Sequence, residues 1–480
     1  MAKNIKEKAI SGVKWTTIER ISTQFLRFVI GIIVARLVTP SDYGLIAMLT
    51  IFTSLGDVFI NSGFNTALIR NKENTQEDYS TAFFFNIGVG ILVYALLFLC
   101  APFIANFYGI PELSEVTRIY ALILLIGSFS VVQIAKLTHD FQFKIQFFIN
   151  TISLVLSGVI GVLFALRGYG VWALVWQGIA LTVTKTLLLW IYSGWHPILV
   201  FSKKSFKYLF SFGSRLLAVS ILDIIYDNIY TLVIGKFYSA SSTGYYNRSL
   251  HIAHLPKNII REIIGKVILP ILAPYQDNEQ MLLSVYNKMF KLIVFASYPL
   301  LVLLSILSKP IIFIMLGEQW VPAAPYLQIL SLSIIFAILS NININLLYVK
   351  GRSDIILKTD VIKKGIGFII VFLMVPLGLY WICFGTILYG IVAFVINCRQ
   401  TDKLLGFGLL AQIKSLIPSL TYSTLMGVIV YIVTCFVTSS ILQILIGGII
   451  GLIFYFVLTY VLKDSSLNEL IVIIKKRHGK

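Results

Sequence analysis

Apolar stretches long enough to cross a hydrocarbon core, which takes about 20 residues of helix, recur along this chain with only short polar interruptions. They fall near residues 11–37, 43–64, 80–107, 114–136, 145–166, 170–192 and 208–236 in the first half of the sequence. Seven more fall near 244–271, 288–315, 325–348, 358–376, 379–398, 416–437 and 440–462. With 58% hydrophobic and 12% charged residues, against about 25% charged in soluble domains, folding in water is excluded. About fourteen spans and their loops use up the 480 residues and leave no room for a separate water-soluble domain. The expected fold is an all-α polytopic membrane protein. The basic start MAKNIKEKAI resembles a signal peptide, but the stretch after it carries Glu19, Arg20 and Arg27 and no small-residue cleavage site, so it is expected to be retained as span 1.

The net charge of +18, from 39 basic and 21 acidic residues, is read as topology and attraction to anionic lipid rather than nucleic-acid binding. Both tails and the alternate loops between them hold about 20 Lys and Arg, among them Lys3, Lys6, Lys8, Arg70, Lys72, Lys203, Lys204, Lys350, Arg352, Arg399, Lys403, Lys475, Lys476 and Arg477. The opposite loops hold about five: Arg36, Arg118, Arg167, Lys236 and Lys309. The asymmetry predicts that both termini are cytoplasmic. Cys100, Cys383, Cys398 and Cys435 lie in or beside apolar stretches, without CxxC spacing, and are expected to pack.

An internal repeat accompanies the spans. RLVTPSDYGL, from Arg36, aligns without gaps on KFYSASSTGY, from Lys236, at an offset of 200 residues that sets Ser41 on Ser241 and Gly44 on Gly244. Spans 1–6 and 7–12 are therefore read as parallel repeats forming two lobes, residues 1–200 and 201–405. Spans 13 and 14, with the basic tail, occupy 406–480.

A charged side chain inside a span costs several kcal/mol unless it is paired or faces water, so such residues point to function. On span 1, Thr16, Arg20, Thr23, Gln24 and Arg27 share an arc of about 100 degrees. Span 2 aligns Thr50, Ser54, Asp57 and Asn61 on one face; span 7 does the same with Ser220, Asp223, Asp227 and Tyr230. Span 8 is the most polar, with Arg248, His251, His254, Lys257, Asn258, Arg261 and Glu262. At the repeat offset Arg27 matches Asp227 and Asp57 matches Lys257, so the lobes carry opposite charges at matched positions. These charges fit either lobes that exchange partners during alternating access or static ion pairs between helices.

Arginine presents a planar fork matched to phosphate oxygens, so Arg20, Arg27, Arg248 and Arg261, with Lys257, are candidate ligands for a pyrophosphate. Asp57, Asp223 and Asp227 are candidate counter-charges or sites for a coupling H+ or Na+. His251 and His254 lack a third ligand at metal spacing, so no metal is expected. Walker A, HExxH, GxSxG and Asp-x-Asp patterns are absent, so no cofactor is expected and an enzyme is not.

A further ordered set of segments runs through the chain: KEKAISGVKW from Lys6, PSDYGL from Pro40, NSGFNTALIR from Asn61, EDYSTAFFFN from Glu77 and GYGVWALVWQ from Gly168. FGSRLL follows from Phe212, then NIYTLVIGKFYS from Asn228, TGYYNRS from Thr243, LGEQW from Leu316 and KGRSDIILK from Lys350. This set resembles the Wzx-type polysaccharide flippases of the multidrug/oligosaccharidyl-lipid/polysaccharide (MOP) superfamily. The resemblance implies two six-helix lobes around a central cavity, two accessory helices, and residence in the bacterial inner membrane. It implies as substrate an oligosaccharide linked through pyrophosphate to undecaprenol, with polysaccharide polymerase and chain-length machinery as partners. Related flippases carry cations on helices 1, 2 and 8, which Arg20, Arg27 and Arg261 match, whereas span 2 departs from that pattern with Asp57. The alternatives are a drug/cation antiporter of the same superfamily, which would favour an acidic cavity, and a membrane glycosyltransferase or polymerase. The latter would need a larger outer loop than the roughly 2–10 residues expected here.

Topology is testable by cysteine labelling of intact cells. A Cys placed at Ser241 should react with an impermeant reagent and one at Ser202 should not; labelling of the latter from outside reverses the assignment.

Overall fold

In the bilayer core no water satisfies backbone N–H and C=O groups, so a spanning segment must satisfy them itself, and in this chain it does so as helix. The computed structural model describes residues 2–61, 63–71, 73–263 and 269–470. Lys72, Lys475, Lys476 and Arg477 lie outside them, as do the side chains of Lys3, Lys6, Lys8 and Glu262.

Two compact units divide the chain at 1–244 and 245–480. The first holds α1 (Ala2–Leu37), α2 (Pro40–Asn61), α3 (Phe64–Arg70), α4 (Gln76–Tyr108) and the short helices α5 (Glu112–Tyr120), α6 (Leu122–Ser128) and α7 (Val131–His139). It continues with α8 (Phe143–Leu166), α9 (Val171–Tyr192) and α10 (Lys203–Phe237), and α11 (Ala240–Ile263) leads into the second unit. There follow α12 (Leu269–Leu272), α13 (Glu279–Ile306), α14 (Ser308–Leu316), α15 (Ala324–Val349), α16 (Ser353–Met374), α17 (Leu379–Leu405), α18 (Leu409–Cys435) and α19 (Ser440–Val461). No strand occurs among the described residues.

Eleven of these segments, some made of consecutive short helices, are long and apolar enough to cross a membrane. The expected fourteen therefore stand at eleven by length and composition. The other three, α1, α11 and α16, are 36, 24 and 22 residues long; α1 and α11 carry the charges read in spans 1 and 8, and α16 carries Asp354, Lys358, Asp360, Lys363 and Lys364.

The repeat read from the sequence has a structural counterpart at its caps. Thr39 and Asp42 cap α2 reciprocally: the Asp42 amide donates to Thr39 Oγ1 at 3.2 Å and the Thr39 amide to Asp42 Oδ2 at 3.2 Å. Two hundred residues on, the Ser242 amide donates to Ser239 Oγ at 3.1 Å ahead of α11. The matched glycines meet each other's turns: a Cβ on Gly44 would overlap the Ala240 carbonyl, and one on Gly244 the Pro40 carbonyl. α10 comes as close: a Cβ on Gly235 would stand 2.9 Å from Met48 Cγ on α2, and one on Gly63, just beyond α2, 2.7 Å from Gly213 Cα. Small residues let helix backbones approach closely in a membrane. Here they do so at both ends of α2, and φ of +69° at Gly63 adds a left-handed turn that glycine alone adopts freely.

The EDYST segment also has a task. Ser80 Oγ accepts from the Ile198 amide at 3.1 Å and Thr81 Oγ1 from the Ser202 amide at 2.9 Å, while Gln76 Oε1 accepts from Trp195 Nε1 at 2.7 Å. The start of α4 thus pins the loop between α9 and α10.

In the second unit a buried polar cluster takes the same role between helices. Asn343 Oδ1 on α15 accepts from Thr401 Oγ1 at 2.6 Å, Gln412 Nε2 at 2.9 Å and Tyr286 OH at 3.2 Å, tying α13, α17 and α18 to one side chain. Beside it Phe295, Met426, Val430 and Tyr455 join α13, α18 and α19 through apolar contact.

Gly44→Ala should lower stability by about 1–3 kcal/mol, because the added carbon meets backbone that cannot rotate away. Gly88→Ala, where nothing lies within 4 Å, should be neutral or slightly stabilising. Thermal unfolding of the detergent-purified variants compares them; equal loss at both positions would contradict the seam.

Candidate functional site

The first unit encloses a cavity of about 750 Å³ bounded by α1, α2, α6, α7, α8 and α9, with Ile224 of α10 at its edge. The polar face of α1 contributes Glu19, Thr23 and Arg27; that of α2 contributes Thr53, Ser54, Asp57 and Asn61. Opposite them α9 presents Thr182, Lys185 and Thr186, one helical face at spacings of three and four, and α8 presents Asn150.

Helix geometry gives the position of the cavity along α2. Thr53 lies nine residues beyond Gly44, or about 14 Å along α2. In between, Leu45, Met48 and Leu49 are buried in an apolar cluster. The cavity lies beyond it, toward Asn61 at the end of α2.

Two cations, Arg27 and Lys185, and two anions, Glu19 and Asp57, line this space. Lys185 lies within electrostatic reach of the other three. Among the described residues none of the four is joined to another by an ion pair of 4 Å or less, in contrast to Lys136–Asp140 at 3.1 Å elsewhere in the unit. Held apart around the cavity, these charges form no tight ion pair between helices; the wall is close to neutral overall yet locally polar. Glu19 Oε1 accepts from Asn150 Nδ2 at 2.5 Å, which fixes the carboxylate against α8, and Asn61 Nδ2 turns back to the Asp57 carbonyl at 2.9 Å. Hydroxyls along the wall are tethered to their own helices, as with Thr53 on Leu49 O at 3.2 Å and Thr182 on Gly178 O at 3.0 Å. Each hydroxyl that donates this way keeps its acceptor capacity.

Of the residues singled out in the sequence, Arg27 and Asp57 share this cavity. Arg20 is exposed on α1 and is not part of the wall. Asp223 and Asp227 are exposed on α10 on either side of Ile224, and each has a polar or electrostatic contact of its own. Arg248, Lys257 and Arg261 lie in the second unit on α11, where Lys257 Nζ is 3.4 Å from His254 Nε2. No cluster of three metal-ligating side chains occurs among the described residues. Sequence reasoning passed over Lys185 and Asn150. Lys185 carried a usable signal, as the lone charge within the apolar helix Val171–Tyr192. Asn150 carried none, since an amide in an apolar helix is common and its partner is 131 residues away.

With this geometry in hand, likeness to known proteins can be placed on it. The chain is 28% identical over 439 residues to the teichuronic acid biosynthesis protein TuaB of Bacillus subtilis (strain 168), covering 89% of each chain. It is 26% identical over 363 residues to the lipopolysaccharide biosynthesis protein WzxC of Escherichia coli (strain K12), covering 75% of this chain and 74% of that one. Among solved structures, the lipid II flippase MurJ in an inward closed conformation superposes with a TM-score of 0.75 at 16% identity, over 95% of this chain and all of that one. That last likeness concerns fold alone. A family model described as polysaccharide biosynthesis protein matches residues 33–325, more than half of the sequence, and the chain belongs to that family.

Proposed function

We propose that this protein is a flippase that carries an undecaprenyl-pyrophosphate-linked oligosaccharide from the cytoplasmic to the outer leaflet of the bacterial inner membrane by alternating access. The observation that carries the reading is the cavity in the first unit, where Arg27 and Lys185 stand apart from their counter-charges among hydroxyls and amides. Guanidinium and ammonium groups suit a pyrophosphate; Thr, Ser and Asn side chains suit sugar hydroxyls. The names of the relatives, which speak of teichuronic acid and lipopolysaccharide biosynthesis, support a polysaccharide precursor as the cargo. With the basic loops in the cytoplasm, the cavity lies in the cytoplasmic half, where such a precursor is made. A drug/cation antiporter would favour an acidic wall, whereas here two bases offset two acids.

On this reading Arg27 and Lys185 engage the phosphates while Asp57 and Glu19 receive them when the cargo leaves. Arg20, Arg248, Lys257 and Arg261 remain candidates for later steps of the path. Asp57, Asp223 and Asp227 are candidates for linkage to H+ or Na+, which does work only by binding one conformation more tightly than another.

Arg27→Ala and Lys185→Ala should each lower polysaccharide export by about 10- to 100-fold, the loss of one charge-assisted hydrogen bond, at unchanged membrane abundance. Arg27→Lys should restore export only in part, because a point charge lacks the fork. Normal export by both Ala variants would remove the site.

Coupling is tested by flipping of purified lipid-linked substrate in proteoliposomes under an imposed H+ or Na+ gradient. Asp223→Asn or Asp227→Asn should abolish the gradient response while substrate binding persists; a wild-type response from both would exclude α10 as the coupling element.

A further inference from the structure

The second unit carries a groove of about 480 Å³ between the start of α16 and the end of α17, remote in sequence from every residue of the cavity described above. Three cations converge on it: Arg352 at the N-cap of α16, Lys358 one turn inside, and Lys403 in the last turn of α17. Two of the nearby acids, Asp354 and Asp360, are paired. Asp354 takes a two-point contact from Arg352, with Nε to Oδ1 and Nη2 to Oδ2 both at 3.0 Å, which holds its carboxyl below the usual range and keeps the pair ionised and neutral. Asp360 pairs with Lys363, and the Asp402 carboxylate packs against Gly408 in the turn to α18. Among the described residues Lys358 and Lys403 form no ion pair of 4 Å or less.

Away from the lysines the groove changes character. Ile355, Ile362 and Leu404 line it, and along the same face of α16 Ile362, Ile369 and Leu373 are exposed at 46, 60 and 62%. In a membrane protein such side chains face acyl chains. A charged mouth at the level of the helix ends, continued by an apolar wall along the helix, has the profile of a phospholipid rather than of a soluble anion, which would need the mouth alone.

We propose that this groove is a binding site for an anionic glycerophospholipid, its phosphate held between Lys358 and Lys403 and one acyl chain laid along α16. Two lysines at the membrane surface contribute about fivefold each to such binding. The site would keep an annular lipid on the α16–α17 pair, independently of what the first unit transports.

The full-length protein is reconstituted in phosphatidylcholine nanodiscs containing a minor fraction of phosphatidylglycerol, and retained lipid is counted by native mass spectrometry. The wild type should retain phosphatidylglycerol over phosphatidylcholine, and Lys358→Gln/Lys403→Gln should bind it about 30-fold more weakly. A charge-matched control, Lys203→Gln/Lys204→Gln at the start of α10, should retain it as the wild type does. If the double variant does not fold, the single variants should each show about a fivefold loss. Equal retention by wild type and groove variants overturns the proposal. So does displacement of the lipid by millimolar inorganic phosphate, which would assign the mouth to a free anion.

Discussion

Hydrocarbon offers no partner to a backbone amide, and the rest of this protein follows from that refusal. It makes every long segment a helix. The same constraint favours hydroxyls and amides within helices that bond to their own backbone, as Thr53 and Thr182 do, or to one another, as around Asn343. Charges are then tolerated only at helix ends, in pairs, or around water. The cavity of the first unit is where this chain places four of them.

The two units meet the constraint differently. In the second, Asn343, Thr401, Gln412 and Tyr286 satisfy one another in a closed set, so their polarity is spent on holding four helices together. In the first, Glu19, Arg27, Asp57 and Lys185 are spread around open space. A closed polar set rigidifies, whereas an open one leaves donors and acceptors for something that comes and goes. That contrast is the physical reason for placing cargo in the first unit.

Much of the fold was legible because a membrane helix writes its length directly into the sequence. Segments such as Leu379–Leu405 and Ser440–Val461 announce themselves; α1, α11 and α16 blur because charge suppresses the apolar signal on which the reading depends. The turn repeat at Gly44 and Gly244 was legible as an alignment, but the interlocking of the two turns was not, since no pattern along a chain says which backbone touches which. The site was half legible. Helical spacing marked Arg27 and Asp57 as lying on polar faces, and it marked Arg20, Asp223 and Asp227 equally well. Which of these reach a common space depends on helix rotation and packing, and periodicity along one helix carries no information about its neighbours. Lys185 shows the converse, a lone charge without a stripe around it that nonetheless stands in the cavity.

The junction between the start of α2 and the start of α11 bears on how much change the first unit tolerates. Around Gly44 and Gly244 the helices touch main chain to main chain, with Met48 and Tyr108 buried just beyond and Tyr108 OH bonded to the Met48 carbonyl at 3.2 Å. Backbone set against backbone leaves no flexible side chain to absorb a change, so at these two positions the chain tolerates hydrogen and nothing larger without parting α2 from the start of α11.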